Sequence, residues 1–311
     1  MDLRTISTIA LPMTDEPSLE TKLDHAMELV KFALQQGAGL VCLPELANRF
    51  RGNTPATADQ IKSEDYALDE NAAEVRPFYD IAKKHGVSIV LPLLIKAESG
   101  YFNRALFINE QGEISGRYDK IFLAPGEADE GVIRGNKPVV VDWQGIKVGF
   151  MICFDMNYQE LVVRYKELGA KLIVFSSMFG GGKLVNSYAL LHGLHFVCAY
   201  SDWSRFVDPF GNDYGGVGTR LEAYRFGSLP PVLTRSINFD YERVYITDAQ
   251  AAFSEITRKY GSKVKMEFEQ GSAITVMESL SDQFTIQDIM NEFDIGSMDD
   301  HIDEHRVPLI D

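Results

Sequence analysis

Residues 148–161 read VGFMICFDMNYQEL, and this stretch decides how the surrounding chain folds. Apolar residues and one glycine fill 148–152, as in a strand, and polar Asp155, Asn157 and Gln159 follow. A helix is predicted to open at Glu160. Cys153 is therefore expected at a strand-to-loop elbow, the position from which a nucleophile is presented to a cleft. Upstream, Val139–Trp143, Gln144-Gly145 and Ile146–Cys153 read as a β-hairpin. Downstream, the helix runs to Leu168 and stops at Gly169, before a strand at Leu172–Ser176.

The same alternation extends both ways. Residues 4–12 read as a strand, 17–36 as a helix closed by Gly37 and Gly39, and Leu40–Leu43 as a buried strand stopped by Pro44. A helix at 71–85, a strand at Val87–Leu94 and a hairpin of Ala105–Asn109 with Glu113–Tyr118 come next. Beyond the Gly180–Gly182 loop, a helical stretch at 184–194 precedes strands at Phe196–Tyr200, Ser204–Val207 and Ser236–Phe239. Helices between strands, mixed with hairpins, predict an α/β protein with two sheets or one mixed sheet. Near the C-terminus, Thr285/Asp288 and Ser297/Asp300 each start a capped helix, the second running to about Arg306.

The 311 residues carry 45 acidic and 30 basic side chains, a net charge of −15. That balance repels phosphate backbones and anionic lipid heads, which argues against nucleic-acid and membrane partners. Three cysteines, Cys42, Cys153 and Cys198, form no disulfide framework and no CxxC pair. The N-terminus reads as a first strand, not a signal peptide, and no run approaches the roughly 18 apolar residues of a membrane span. A cytoplasmic address is the expectation.

Two further strings set a reactive side chain just after an apolar strand. They are LVCLPELANRF (40–50), with Glu45, and GRYDKIFLAPGEADEG (116–131), with Lys120. Taken singly, Glu45 reads as a solvated carboxylate, Lys120 as a surface cation beside Asp119, and Cys153 as a small buried hydrophobe. Cys42 and Cys198 sit inside apolar runs and read as core. His192 and His195 are three apart on an expected helix and could face one way, but no third ligand is visible, so packed histidines are the favoured reading. FGGGKLVNS and YGGVGT lack phosphate-loop and dinucleotide spacings, and GxSxG is absent.

Taken together, the three strings, with Tyr101–Ala105 (YFNRA) and Asp208–Gly211 (DPFG), resemble the nitrilase or carbon–nitrogen hydrolase superfamily over about residues 4–245. The resemblance implies a four-layer α-β-β-α sandwich. It implies Cys153 as nucleophile, Glu45 as general base and Lys120 as charge stabiliser. A second glutamate between the lysine and the cysteine is implied too. The spacing to Gly135 favours Glu130, with Glu127 as the alternative. These residue types suit the chemistry: a thiol needs a base or cation for activation, and an oxyanion needs donors such as Lys120 and the Phe154 N–H. No cofactor or metal is called for.

Phe154-Asp155 after the nucleophile looks like amidase and carbamoylase branches, whereas nitrile-acting members tend to carry Trp-Glu. The expected reaction is hydrolysis of a small linear amide or N-carbamoyl compound with release of ammonia. Nitrile hydrolysis, acyl transfer and a non-catalytic binding role are the alternatives, and the intact Glu/Lys/Cys set counts against the last. Phe50, Phe154, Asn157, Tyr158, Met178 and Phe179 are candidate substrate contacts. Arg49 and Arg51 are candidates for holding a substrate carboxylate, or equally solvated loop cations. The chain departs from the family after residue 184, where SYALLHGLHFVCAYSDWS replaces the usual Arg-Ala and Glu-Asn, which bears on pocket shape. The expected organisation is a hydrolase domain at 1–265 and a C-terminal extension at 266–311, assembled as a homodimer or higher homo-oligomer.

Overall fold

The computed structural model describes residues 1–12, 16–50, 61–218, 230–268 and 273–307. Two six-stranded sheets form its centre. The first has the order β12-β1-β2-β3-β4-β5, built from β1 (Leu3–Ile9), β2 (Leu40–Cys42), β3 (Ser88–Ala97), β4 (Gly100–Ile108), β5 (Ile114–Asp119) and β12 (Val232–Asn238). The second has the order β11-β10-β9-β8-β7-β6, built from β6 (Val140–Trp143), β7 (Ile146–Ile152), β8 (Leu172–Ser177), β9 (His195–Tyr200), β10 (Trp203–Val207) and β11 (Asp213–Gly218).

Parallel pairing needs a crossover, and helices supply it. β1, β2 and β3 are parallel, joined through α1 (Leu19–Gln35) and through a segment holding α2 (Ser63–Tyr66) and α3 (Arg76–His85). β7, β8 and β9 are parallel, joined through α4 (Gln159–Glu167) and α5 (Gly182–His192). The two expected hairpins form the antiparallel pairs β4–β5 and β6–β7.

Helix α1 starts at a Ser18–Thr21 capping box and buries Leu23, Ala26, Leu29, Val30 and Ala33, a helical-period stripe, against Val41, Leu43, Ile89 and Leu91. Leu23, Leu29 and Val30 each contribute about 1.5–3 kcal/mol, so Val30→Asp would unseat the helix. On the second sheet, a Cβ at Gly149 would lie 2.6 Å from the Tyr165 ring, so only glycine lets α4 sit this close to β7.

The sheets face each other. Ser176 Oγ donates to Leu43 O at 2.9 Å, Ser204 Oγ to Ile9 O at 2.9 Å and Thr8 Oγ1 to Cys198 O at 2.9 Å. The Phe107 and Phe150 rings meet edge to face at 6.0 Å. Satisfying buried hydroxyls from the facing sheet's carbonyls removes the cost of burying them. The result is the four-layer α-β-β-α sandwich.

The chain divides into two compact units, Thr5–Arg235 and Met1–Arg4 with Ser236–Asp311. The second contains a sheet of order β13-β15-β14, from β13 (Tyr241–Tyr245), β14 (Val264–Phe268) and β15 (Ile274–Ser279). Helices α6 (Ile246–Tyr260), α7 (Ile286–Phe293) and α8 (Met298–Glu304) complete it, over a core that includes Val244, Ile256, Met277, Ile289 and Met290. The expected boundary at 265 falls inside β14, which pairs with β15, and the two units divide at Arg235/Ser236 instead. Both predicted caps form, at Thr285 and Ser297. Among the described residues no helix is long and apolar enough to cross a membrane.

Candidate active site

Strand β2 ends at Cys42, and the turn that follows carries Glu45. Leu43 N–H donates to Val90 O at 3.1 Å and Ala47 N–H to Pro92 O at 2.8 Å, so the turn stays tied to β3. Asn48 is fully buried and clamps it. Its Nδ2 donates to Tyr66 O (2.6 Å) and Leu94 O (3.1 Å), and its Oδ1 accepts from Leu94 N–H (3.0 Å). Leu46 takes a left-handed φ of 51°, a sparsely populated conformation that turns the chain sharply just after Glu45.

Glu45 is buried and accepts from three donors. Oε1 accepts from Lys120 Nζ at 2.9 Å and Asn103 Nδ2 at 2.8 Å, and Oε2 accepts from Met178 N–H at 3.0 Å. Lys120 lies one residue beyond β5, held by its own N–H to Asn103 O (2.9 Å) and by Gly135 N–H to its O (2.8 Å). Its Nζ also pairs with Glu127 Oε2 at 2.8 Å, and Asn103 Nδ2 reaches Glu127 Oε1 at 3.1 Å. Two carboxylates thus share one ammonium and one amide. Burial pulls the Lys120 pKa down, but Glu45, the Cys153 sulfur and Glu127 outweigh it and hold the ammonium above its ordinary value.

Cys153 opens a one-turn 3₁₀ helix, Cys153–Asn157, at the end of β7, with a left-handed φ of 48°. This is the elbow, and its strain costs about 1–3 kcal/mol. Asp155 holds it. The carboxylate accepts from Tyr118 Oη (2.6 Å), Phe122 N–H (2.8 Å) and Ile152 N–H (2.9 Å). One buried acid therefore ties the nucleophile's elbow to the segment on either side of Lys120. Burial lifts the Asp155 carboxyl to about 6 despite these donors. Burial and the Glu45 charge push the Cys153 thiol up to about 12, against the opposing pull of Lys120 and a hydrogen bond with Ser177.

Glu45, Lys120, Cys153 and Glu127 line one cavity of about 320 Å³, with Arg49, Tyr66, Met178 and Phe179 among its walls. A larger cavity of about 690 Å³ shares Met178 and Phe179 but contains none of the four. The chemistry belongs to the smaller one, because only there do a nucleophile, a base and a cation meet.

Several expected site residues lie elsewhere. Glu130 is an exposed residue on the cavity rim, 3.4 Å from Ser63 Oγ, and does not reach Lys120. The tight turn after Pro125 aims Glu127 inward, where its Oε2 also accepts the Ala124 N–H at 2.5 Å, so the second carboxylate of the cluster is Glu127. Phe154, Asn157 and Tyr158 are not among the cavity walls. Tyr158 stacks on Phe122 at 3.6 Å with Phe154 edge-on at 6.0 Å, and Asn157 Nδ2 bonds Phe154 O at 3.1 Å. Phe50 packs with the cluster around Leu46, Tyr66 and Leu94. Arg51 lies outside the described residues.

His192 ends α5, and a left-handed Gly193 separates it from His195 on β9, so the two do not share a helix face. Burial drives the His195 pKa down to about 3. No group of three or more His, Cys, Asp or Glu suited to a metal occurs among the described residues. Asn103 and the clamping role of Asp155 were not assigned from sequence. Both lie inside quoted motifs, but nothing in their spacing says that an amide spans two glutamates.

The Carbon-nitrogen hydrolase family model matches residues 5–194, and the chain belongs to that family. Among curated relatives, a nitrilase homologue of Dictyostelium discoideum is 27% identical over 171 residues, 51% of this chain and 50% of that protein. An omega-amidase of Xenopus laevis is 29% identical over 174 residues, 52% of this chain and 60% of that protein. A deaminated glutathione amidase of Synechocystis is 29% identical over 184 residues, 55% and 65% of the two chains. The matched stretch thus spans about half to two thirds of these relatives. The fold is shared with an amidase from Nesterenkonia sp., with a TM-score of 0.59, 22% identity, and coverage of 75% of this chain and 90% of that one. It is shared also with a nitrilase-superfamily protein of Saccharomyces cerevisiae, at TM-score 0.62, 18% identity, and coverage of 83% and 97%.

Proposed function

We propose that this chain hydrolyses the C–N bond of a small linear amide or N-carbamoyl compound through an acyl-enzyme on Cys153, releasing ammonia. The observation that carries the reading is the meeting of Cys153, Glu45 and Lys120 in one cavity, with Glu45 Oε1 2.9 Å from Lys120 Nζ.

The thiol is protonated at neutral pH, given a pKa raised to about 12, so attack and deprotonation are coupled. Cys153 Sγ bonds to the amide carbon as Glu45 takes the thiol proton. Two of the three Lys120 N–H groups point at Glu45 and Glu127, leaving the third for the developing oxyanion, with the Phe154 N–H as a second donor. Glu45 passes its proton to the nitrogen, the C–N bond breaks and ammonia leaves. Water then attacks the thioester, giving its proton to Glu45. The acid departs as the proton returns to sulfur. Glu127 keeps Lys120 in place and offsets its charge.

The residue pair Phe154-Asp155 supports amides over nitriles. A matched set, R–CONH₂, R–NH–CONH₂ and R–CN, assayed for ammonia at equal concentration, tests this. A preference for R–CN across several R groups would overturn it. Assembly as a homodimer belongs to the same proposal. It is supported by the exposed apolar Leu184 and Leu191 on α5 and is read by sedimentation velocity.

A further inference from the structure

We infer that the cavity of about 690 Å³ beside the catalytic one holds the far end of the substrate, and that this end is a neutral aromatic group. The substrate is then a linear amide that carries an aryl ring at its other end. The inference rests on the amide-hydrolase reading of the Cys153 cavity, and it names the substrate class.

The two cavities meet at Met178 and Phe179, which line both. This junction is held from both sides. The Met178 N–H donates to Glu45 Oε2 at 3.0 Å, and its carbonyl accepts from Ser201 Oγ at 2.6 Å. The Gly181 N–H reaches Tyr200 Oη at 3.3 Å. Phe179 is 74% exposed there, so a large apolar surface stands in water at the point where a substrate would pass from one cavity to the other. Much of the second cavity lies outside the family pattern: the match stops at residue 194, and Tyr200, Trp203, Arg205 and Asp213 all come after it.

Trp203, at the start of β10, is the platform. It pairs with Gly218 of β11, and Arg205 pairs with Gly216. A Cβ at Gly216 would lie 2.7 Å from Trp203 Cε2, and one at Gly218 would lie 2.9 Å from its Cε3. The indole therefore lies across two glycines of the YGGVGT string, which accounts for glycines that fit no phosphate-binding pattern. Trp203 is still 38% exposed, and it lines the cavity. Planar rings stack on such a surface. The polar groups around it are largely spent on one another. Arg205 pairs with Asp213 and donates to Asn186 Oδ1 and Gly182 O, both at 2.9 Å. Asn186 Nδ2 donates to Gly211 O at 2.7 Å and Asp213 Oδ1 at 2.9 Å. Among the described lining residues the charges of Lys183, Arg205, Asp202 and Asp213 sum to zero. With no net charge to match and two exposed rings to cover, the cavity suits a neutral aryl group.

The test uses a series of phenylalkanamides of increasing chain length, each matched with the alkanamide of the same chain ending in methyl. Wild-type protein, Trp203→Ala and Trp203→Phe are compared. The wild type should favour the phenyl compound in kcat/KM by about 10- to 100-fold at a particular chain length, the worth of burying one aromatic ring. In Trp203→Ala that ratio should fall to near one, with Trp203→Phe in between. The ratio cancels any general loss of fold. A wild-type ratio near one at every length, or a ratio unchanged in Trp203→Ala, overturns the inference. Should no amide be hydrolysed, the amide-hydrolase reading fails by itself. Binding to Cys153→Ala then still decides the cavity, because the chain has only two tryptophans and Trp143 is 1% exposed. Phenylalkanamides should shield Trp203 fluorescence from iodide, best at one chain length, and the methyl-ended partners should not. No shielding, or shielding indifferent to chain length, overturns the claim that one substrate spans both cavities.

Discussion

Asp155 Oδ1 accepts the Phe122 N–H at 2.8 Å, so an acid two residues past the nucleophile fastens the segment that carries Lys120. Its other oxygen accepts from Tyr118 and from Ile152, the residue before Cys153. The register between thiol and ammonium is set by this one side chain, at the expense of burying a charge. In Asp155→Asn the amide nitrogen must face one of these donors, so a contact is lost. We expect kcat to fall by at least about 10-fold, in keeping with loss of a hydrogen bond to a charged group.

Stability should move the other way. A carboxyl whose folded pKa is raised, here to about 6, contributes stability below its ordinary value near ~3.9 and loses it as pH rises through about 6. Wild-type Tm should therefore carry a falling component between pH 4 and 7 that is missing in Asp155→Asn. An equal slope in the two proteins, measured by thermal melts across that range, would contradict the burial argument.

The thiol of Cys153, pushed to about 12 by burial and by Glu45, is not a preformed thiolate. Its alkylation by iodoacetamide should keep rising about tenfold per pH unit from 6 to 10 without a plateau. Glu45→Gln removes a raising influence, so alkylation at pH 8 should be faster in this variant even as amide turnover collapses. A plateau near neutrality would mean an ion pair and a different first step.

Glu127 and Glu130 are separated by two residues and by function. Glu127→Gln strips Lys120 of one of its two carboxylates and should lower kcat by about 10- to 100-fold. Glu130→Gln, on the rim, should change kcat by less than about threefold. Steady-state ammonia release from the two variants checks this, and the reverse order would return the role to Glu130.

Much of this architecture is written in local pattern. The buried strand runs and the glycine stops at 37, 86 and 169 mark the crossovers, and the strand ends mark Glu45, Lys120 and Cys153, whereas the stop at Gly193 lies inside the stretch expected to be helical. The second unit was less legible. Its strand β14 alternates with charged Lys265 and Glu267, and α6 begins directly at the end of β13 with no side-chain cap. The choice between Glu127 and Glu130 depends on where a turn points, which spacing does not encode. The stacking of Tyr158 on Phe122, which turns a candidate substrate contact into packing, is a tertiary event of the same kind.

The most direct measurement of the central claim is intact-protein and peptide mass spectrometry after mixing with an amide substrate and quenching in acid. The account predicts a mass increase equal to the acyl group on the peptide containing Cys153. It predicts that the adduct and ammonia release are both absent in Cys153→Ala. Ammonia release retained in Cys153→Ala, or an acyl group found on Cys42 or Cys198 instead, would contradict it.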